Sequence, residues 1–310
     1  MTPSAAPGVR LTEVGPRDGL QNEARVIPTT VKADFVRTLV RAGHRDVEIT
    51  SFVRRDVVPQ LADAEALCAA LGPPPPGVTY GALVPNLRGL ERALVTGVVG
   101  KVAVFTAASE TFNRRNVNAS IEESIARFVP VAKVAKDAGL ALRGYVSTAF
   151  VCPYEGRVRP RATLDVTQRL LDLGCDELSI GDTIGAATPP DVARLLDTLL
   201  AVVSPERVVL HFHDTRGTAV ANLVEGLRHD VLAYDASSGG VGGCPFAPRA
   251  AGNLATEDAL YLLEGLGVLH GIDAEVQREA SRLVAPHLGH PLAGRVVQAP
   301  PFHPDESAPG

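Results

Sequence analysis

"VVLHFHDTRGTAVANLVEGLRHDVLAYDA", residues 208–236, is the smallest stretch from which the fold can be read. A Val/Leu-rich run predicts a strand over 207–213, helical spacing of apolar residues predicts a helix over 218–229, and a second apolar run predicts a strand over 231–236. Neither strand alternates cleanly between apolar and polar residues. Dense runs of this kind belong to parallel sheets covered on both faces.

The same alternation extends outward along the chain. Strands are expected at 9–14, 46–52, 78–84, 101–107, 141–149, 177–182, 207–213 and 231–236. Helices are expected near 29–42, 60–71, 86–97, 119–138, 162–173, 189–202, 218–229 and 255–265. "GPPPPG" (72–77) stops the second helix, and "TPPD" (188–191) opens the sixth with prolines in its first turn. Eight strand–helix units in about 250 residues match an α/β fold of the (β/α)8 TIM-barrel type. An open doubly wound sheet fits less well, because no Gly-rich dinucleotide fingerprint follows the first strand. Residues 1–287 read as one catalytic barrel domain with an additional C-terminal helical segment near 271–287. Residues 288–310 read as a Pro-rich, loosely ordered tail.

Composition narrows the function classes. The 310 residues are 45% hydrophobic and 21% charged, with net charge −5, no Trp and 5% aromatics. That balance supports a large buried core and offers no basic footprint for nucleic acid or anionic membrane. No apolar run is long enough to span a bilayer, and "MTPSAAPGVR" resembles neither a signal nor a transit peptide, so a cytoplasmic protein is expected. The four cysteines, at 68, 152, 175 and 244, show no zinc or disulfide spacing.

In a barrel, chemistry sits at the C-terminal ends of the strands. His211 and His213, one residue apart on a strand, point to the same face, where two imidazoles suit a divalent cation better than an apolar interior. Closure of the first strand on the eighth makes Asp18 and Asn253 neighbours of this pair. One carboxylate, one amide and two imidazoles favour Mg2+ or Mn2+ over a closed zinc site. Arg17 reads either as a salt-bridge partner of Asp18 or Glu48 or as a fixed donor for a developing oxyanion. Glu48 would orient Arg17 or a metal-bound water, or simply pair with Arg17. Cys244, in "GGVGGCP", lies in a Gly-rich loop able to fold over a site, where a thiol beside a metal and an arginine would exchange a proton. An incidental cysteine and a covalent nucleophile are the alternatives.

"EVGPRDGLQNE", "VEITSFV", "SETFNRRNVNASIEES", "RGYVS", "CPYEGRV", "GDTIGAATP", "HFHDTRGTAVAN" and "GVGGCPFAPRAAGNLATEDALYLLEGLG" together resemble the hydroxymethylglutaryl-CoA lyases over nearly residues 9–270. The resemblance implies cleavage of the 3-hydroxy-3-methylglutaryl-CoA thioester, an acyl-CoA substrate, to acetyl-CoA and acetoacetate, a reaction of leucine degradation. It also implies a homodimer. It makes Asp18, His211, His213 and Asn253 the ligands of a divalent cation. It turns Arg17 toward the thioester carbonyl, and makes Cys244 the catalytic thiol, with Asp18 and His211 as candidate bases. Arg216, Thr148 and Phe150 depart from the family's pattern and leave room for a related lyase acting on a longer branched 3-hydroxyglutaryl-CoA or citramalyl-CoA. Acyl-transferring synthases share the barrel but typically carry a "GER" motif where this chain has "GCPFAPR", and usually a C-terminal extension. A hydroxy-oxoacid aldolase would need no CoA, and a noncatalytic binding barrel would not need the ligand set.

Overall fold

The computed structural model describes residues 8–242 and 252–299. Its strands are β1 (Arg10–Glu13), β2 (Asp46–Ser51), β3 (Thr79–Leu83), β4 (Lys101–Ala107), β5 (Ala141–Ser147), β6 (Val151–Cys152), β7 (Gly156–Arg157), β8 (Glu177–Asp182), β9 (Val208–Phe212) and β10 (Ala233–Ala236). Eight of them close into a parallel barrel in the order β1-β10-β9-β8-β5-β4-β3-β2, and β6 and β7 form a small antiparallel hairpin. The helices are α1 (Thr29–Ala42), α2 (Ala64–Leu71), α3 (Leu87–Thr96), α4 (Glu110–Val117), α5 (Ile121–Asp137), α6 (Pro160–Leu173), α7 (Pro189–Leu199), α8 (Ala219–Arg228), α9 (Thr256–Gly265), α10 (Ala274–Leu288) and α11 (Arg295–Gln298). The fold is the (β/α)8 barrel read from the sequence, with α10 as its extra helix. The hairpin, α4 and α11 were not foreseen.

Local chemistry sets the boundaries. α1 stops at Gly43, whose φ of 111° is costly for a side chain bearing Cβ, and its N–H closes on the Leu39 and Val40 carbonyls. α5 opens on a capping box in which the Ser120 hydroxyl accepts from Glu123 N and the Glu123 carboxylate accepts from Ser120 N. α7 opens the same way with Thr188 and Asp191 around its two prolines. All residues of β2 and β9 are buried, as a sheet covered on both faces requires.

The apolar core lies between the sheet and the helices, and includes Phe35, Leu39, Ile49, Val104, Leu170, Ile180, Leu196 and Leu263. The barrel's inside is different. Asp46 and Glu177 there accept from Arg10 and Lys101, while Arg143 pairs with Glu177 and Asp235. A charged interior is tolerated because each ion has opposite partners. Beyond α10, α11 docks through the Arg295 and Val296 N–H groups, which donate to Asp258 of α9 at 2.9 and 2.7 Å.

Candidate active site

After β1 the chain makes a wide turn at Gly15–Gly19, in which the Val14 carbonyl accepts from the N–H groups of Arg17, Asp18 and Gly19. Such π-type turns recur at functional positions. This one sets Arg17 and Asp18 side by side at the barrel mouth. Glu48 comes from β2 at a register irregularity against β3 between Glu48 and Thr50, a device that re-aims a side chain. His211 lies on β9 and His213 just beyond it. Asn253 reaches them because 252–254 pairs with the end of β9: Asp214 N donates to Gly252 O, Leu254 N donates to Phe212 O, and His213 bridges Asn253.

The predicted ligands converge. Donor atoms of Asp18, His211 and His213 lie within 4.8 Å of one another, and His211 Nε2 is 3.9 Å from Asp18 Oδ2. Asn253 Nδ2 donates to Asp18 Oδ2 at 2.9 Å and to the Val241 carbonyl at 3.2 Å. Both partners are acceptors, so the amide oxygen faces the other way. Asn253 Oδ1 and His213 Nδ1 are buried and have no hydrogen-bond partner among the described residues. Unpaired buried acceptors are costly, and a cation is the species that satisfies an amide oxygen and an imidazole lone pair together. The residues present therefore fit a hard or borderline divalent ion.

Arg17 is held between two carboxylates. Nη1 donates to Asp18 Oδ1 at 2.6 Å and Nη2 donates to Glu48 Oε2 at 2.7 Å. The Tyr145 hydroxyl donates to the same Glu48 oxygen at 2.8 Å, and the Arg17 guanidinium lies 5.2 Å from the centre of the Tyr145 ring. The ion pairs that were the bland alternative for Arg17 and Glu48 are thus present. Yet Arg17 Nε and Glu48 Oε1 remain buried and find no hydrogen-bond partner among the described residues. Pairing fixes the guanidinium without using all of its donors.

Electrostatics follow from burial and neighbours. Burial alone would raise the Asp18 carboxyl, but Arg17, His211 and His213 outweigh it and hold it at about 2. Burial pushes His213 down to about 4, helped by His211, so its imidazole is neutral near pH 7. Burial also pulls His211 down, but Asp235 and Asp18 overcome it and leave the group raised. A cation at Nε2 would displace that proton. Burial lifts the Tyr145 phenol well above its ordinary value, which keeps it a donor to Glu48.

Cys244 lies outside the described residues. The chain enters its loop beside the ligands: at Gly242 φ is 126°, and an added Cβ would come 2.5 Å from Asn253 Nδ2. Of the three departures from the family pattern, Phe150 packs on Phe212, with ring centres 6.2 Å apart, and belongs to the core. Arg216 Nη1 donates to the carbonyls of Ile184 and Gly185 at 2.8 and 2.9 Å, tying the loop after β9 to the loop after β8. Thr148 follows β5 at a φ of 50°, fully buried, with its hydroxyl unpartnered among the described residues. A β-branched residue in that conformation is strained. Sequence reasoning did not single out Tyr145, Arg143 or Asp235. The signal for Asp235 was an acid inside the apolar run "VLAYDA", where nothing but a barrel interior could hold it.

Residues 8–284 match the family model described as HMGL-like. The chain is 42% identical over 291 residues to the cytoplasmic 3-hydroxy-3-methylglutaryl-CoA lyase of Rattus norvegicus, covering 94% of this chain and 84% of the relative. The crystal structure of hydroxymethylglutaryl-CoA lyase from Pseudomonas aeruginosa superposes with a TM-score of 0.91 at 45% identity, covering 94% of this chain and 96% of that one. An HMG-CoA lyase from Acinetobacter baumannii, solved with coenzyme A and 3-methylmalate, gives 0.87 at 33% identity over 95% and 98% of the two chains. With family match, sequence identity and barrel geometry in agreement from the first strand to α10, the chain belongs to the HMGL-like family.

Proposed function

We propose that the protein is a lyase cleaving 3-hydroxy-3-methylglutaryl-CoA to acetyl-CoA and acetoacetate. One observation supports this most: Asp18, His211, His213 and the unpartnered Asn253 oxygen converge beside an arginine fixed by two carboxylates. Those four residues would hold Mg2+ or Mn2+, which when bound supplies Lewis acidity to the hydroxyl and carboxylate oxygens of the acyl group. Asp18 takes the hydroxyl proton, because the cation and Asp235 between them engage both nitrogens of His211. As the C2–C3 bond breaks, one fragment leaves as the ketone and the other as a thioester enolate. Arg17, pinned by Asp18 and Glu48, faces the enolate oxygen with its charge already in place, so little reorganisation accompanies the reaction. Tyr145 steadies Glu48 and hence Arg17. Cys244 delivers the proton that turns the enolate into acetyl-CoA. We place the enzyme in the cytoplasm as a homodimer acting in leucine degradation; among the described residues no helix is long and apolar enough to cross a membrane.

The test is an assay of purified protein with Mg2+ or Mn2+. Acetyl-CoA and acetoacetate are expected in equal amounts, and a chelator should abolish turnover until cation is restored. Absence of turnover, alongside cleavage of citramalyl-CoA or a longer branched 3-hydroxyglutaryl-CoA, moves the assignment to a sister lyase. Cys244→Ser should lower kcat by about two orders of magnitude or more with Mn2+ affinity unchanged; a rate near that of the parent removes the thiol from the reaction.

A further inference from the structure

We infer that Asp235 is a positioning residue that fixes the tautomer and direction of His211, and that its own geometry is set from the barrel floor through Arg143 and Ser179. The inference rests on the reading of Asp18, His211, His213 and Asn253 as a cation site.

Asp235 sits on β10 in register with His211 on β9 and Thr12 on β1, so three neighbouring strands place these side chains in one layer. Its side chain is completely buried. Oδ1 accepts from Arg143 Nη2, and Oδ2 accepts from the Ser179 hydroxyl at 2.8 Å. Arg143 is in turn placed by Glu177 at 3.5 Å and by a bond to the Thr12 hydroxyl at 3.3 Å. A carboxylate paired with a guanidinium has only lone pairs to offer a further partner. The remaining partner is His211 Nδ1, 3.1 Å from Oδ2. That nitrogen must be the donor.

Two consequences follow from an Nδ1–H tautomer. Nε2 keeps its lone pair, and it is Nε2 that lies toward Asp18. The ring also loses its freedom to flip, because a flip would bury Nδ1–H without an acceptor. Carboxylates that hold a ligating histidine by its other nitrogen raise its basicity and fix its orientation, and their removal commonly weakens metal binding by about 10–100-fold. The column Glu177–Arg143–Asp235–His211 gives the charged barrel interior this task.

The experiment combines Mn2+ titration of the full chain with long-range 1H–15N correlation of its histidines, recorded metal-free at a pH where His211 is neutral. In the parent, His211 should show Nδ1–H. Asp235→Asn should lose that signature and bind Mn2+ roughly 10–100-fold more weakly. Ser179→Ala should weaken binding in the same direction by a smaller factor. Its kcat should fall while KM for the acyl-CoA stays within about threefold. An Nε2–H tautomer in the parent overturns the inference even if Asp235→Asn does not fold, and so does unchanged Mn2+ affinity in a folded Asp235→Asn. Failure of the cation reading looks different: Mn2+ would not bind the parent, or would bind Asp18→Ala equally well, while the Nδ1–H signature remained.

Discussion

Arg17 shows how one side chain serves two neighbours. Its guanidinium is buried, which alone would weaken its hold on the proton, but Glu48 and Asp18 reverse this and raise its pKa. The charge is permanent, and its direction is set by two short bonds rather than by the substrate. Arg17→Gln should therefore lower kcat by roughly a hundredfold to a thousandfold, the cost of losing one preorganised oxyanion donor, with little change in KM. The variant should also melt earlier, because Glu48 would be left buried without its cation. Steady-state kinetics and thermal unfolding check both halves. A change confined to KM would return Arg17 to the role of a neutralising partner. Asp18, by contrast, shares its two oxygens between Arg17 and Asn253 and faces the proposed cation site, so that on the proposed reading one Arg-Asp dipeptide addresses both ends of the breaking bond.

At the scale of elements, the site is assembled from chain segments that leave the strands in irregular ways. The wide turn after β1 and the short pairing of 252–254 with β9 bring Asp18 and Asn253 to the histidines. Gly242 passes close beside Asn253 in that assembly. Gly242→Ala combines a φ of 126° with an approach of 2.5 Å, so Asn253 or the loop must move. Mn2+ affinity should fall by about tenfold or more while the melting temperature drops only a few degrees, since the barrel strands are untouched. Titration and calorimetry decide it, and unchanged affinity would mean the close approach is relieved elsewhere. The regular elements were legible in the sequence because buried strands and amphipathic helices write their periods directly. α4 was not. "ETFNRRNV" is polar and buries only Phe112 and Asn113, and the helix exists through its ends, a Ser109 cap and a left-handed Asn118. The hairpin strands and α11 are too short to show a period. Among site residues, the two histidines stood out as polar side chains within an apolar strand. Tyr145 lies in the strand run "RGYVS" with no spacing to set it apart, and the role of Arg143 depends on Asp235, 92 residues away, which only barrel closure brings near.

At the scale of the whole molecule, a second buried polar network ties α10 to the mouth of the barrel. Glu13 accepts from Gly15 N, Ser238 N and the Thr256 hydroxyl, and Gln277 of α10 bonds His44 and Ser238. Glu257 accepts from Gly239 N and from Ser281 of α10. Burial lifts Glu257 from the ordinary value of 4.5 to about 7, against the bonds from Ser281 and Gly239, and the nearby Glu13 adds to the rise. Between those two values the folded protein holds a proton that the unfolded chain releases. This group's contribution is thus complete below pH 4.5 and is lost as pH rises through about 7. Glu257→Gln keeps a neutral side chain of the same shape at every pH. Its stability relative to the parent should rise across that window, reaching on the order of 3 kcal/mol at most by pH 8, and should differ little at pH 4. His44, held by burial at about 4, imposes an opposite slope below its ordinary 6.5. It does so in both proteins, so the difference between them reports Glu257 together with its coupling to Glu13, which burial also lifts to about 7. Denaturant unfolding of the pair at several pH values is the measurement. A difference independent of pH would show that Glu257 is ionised in the fold, with its bonds to Gly239, Ser281 and Gln277 outweighing the cost of burying its charge.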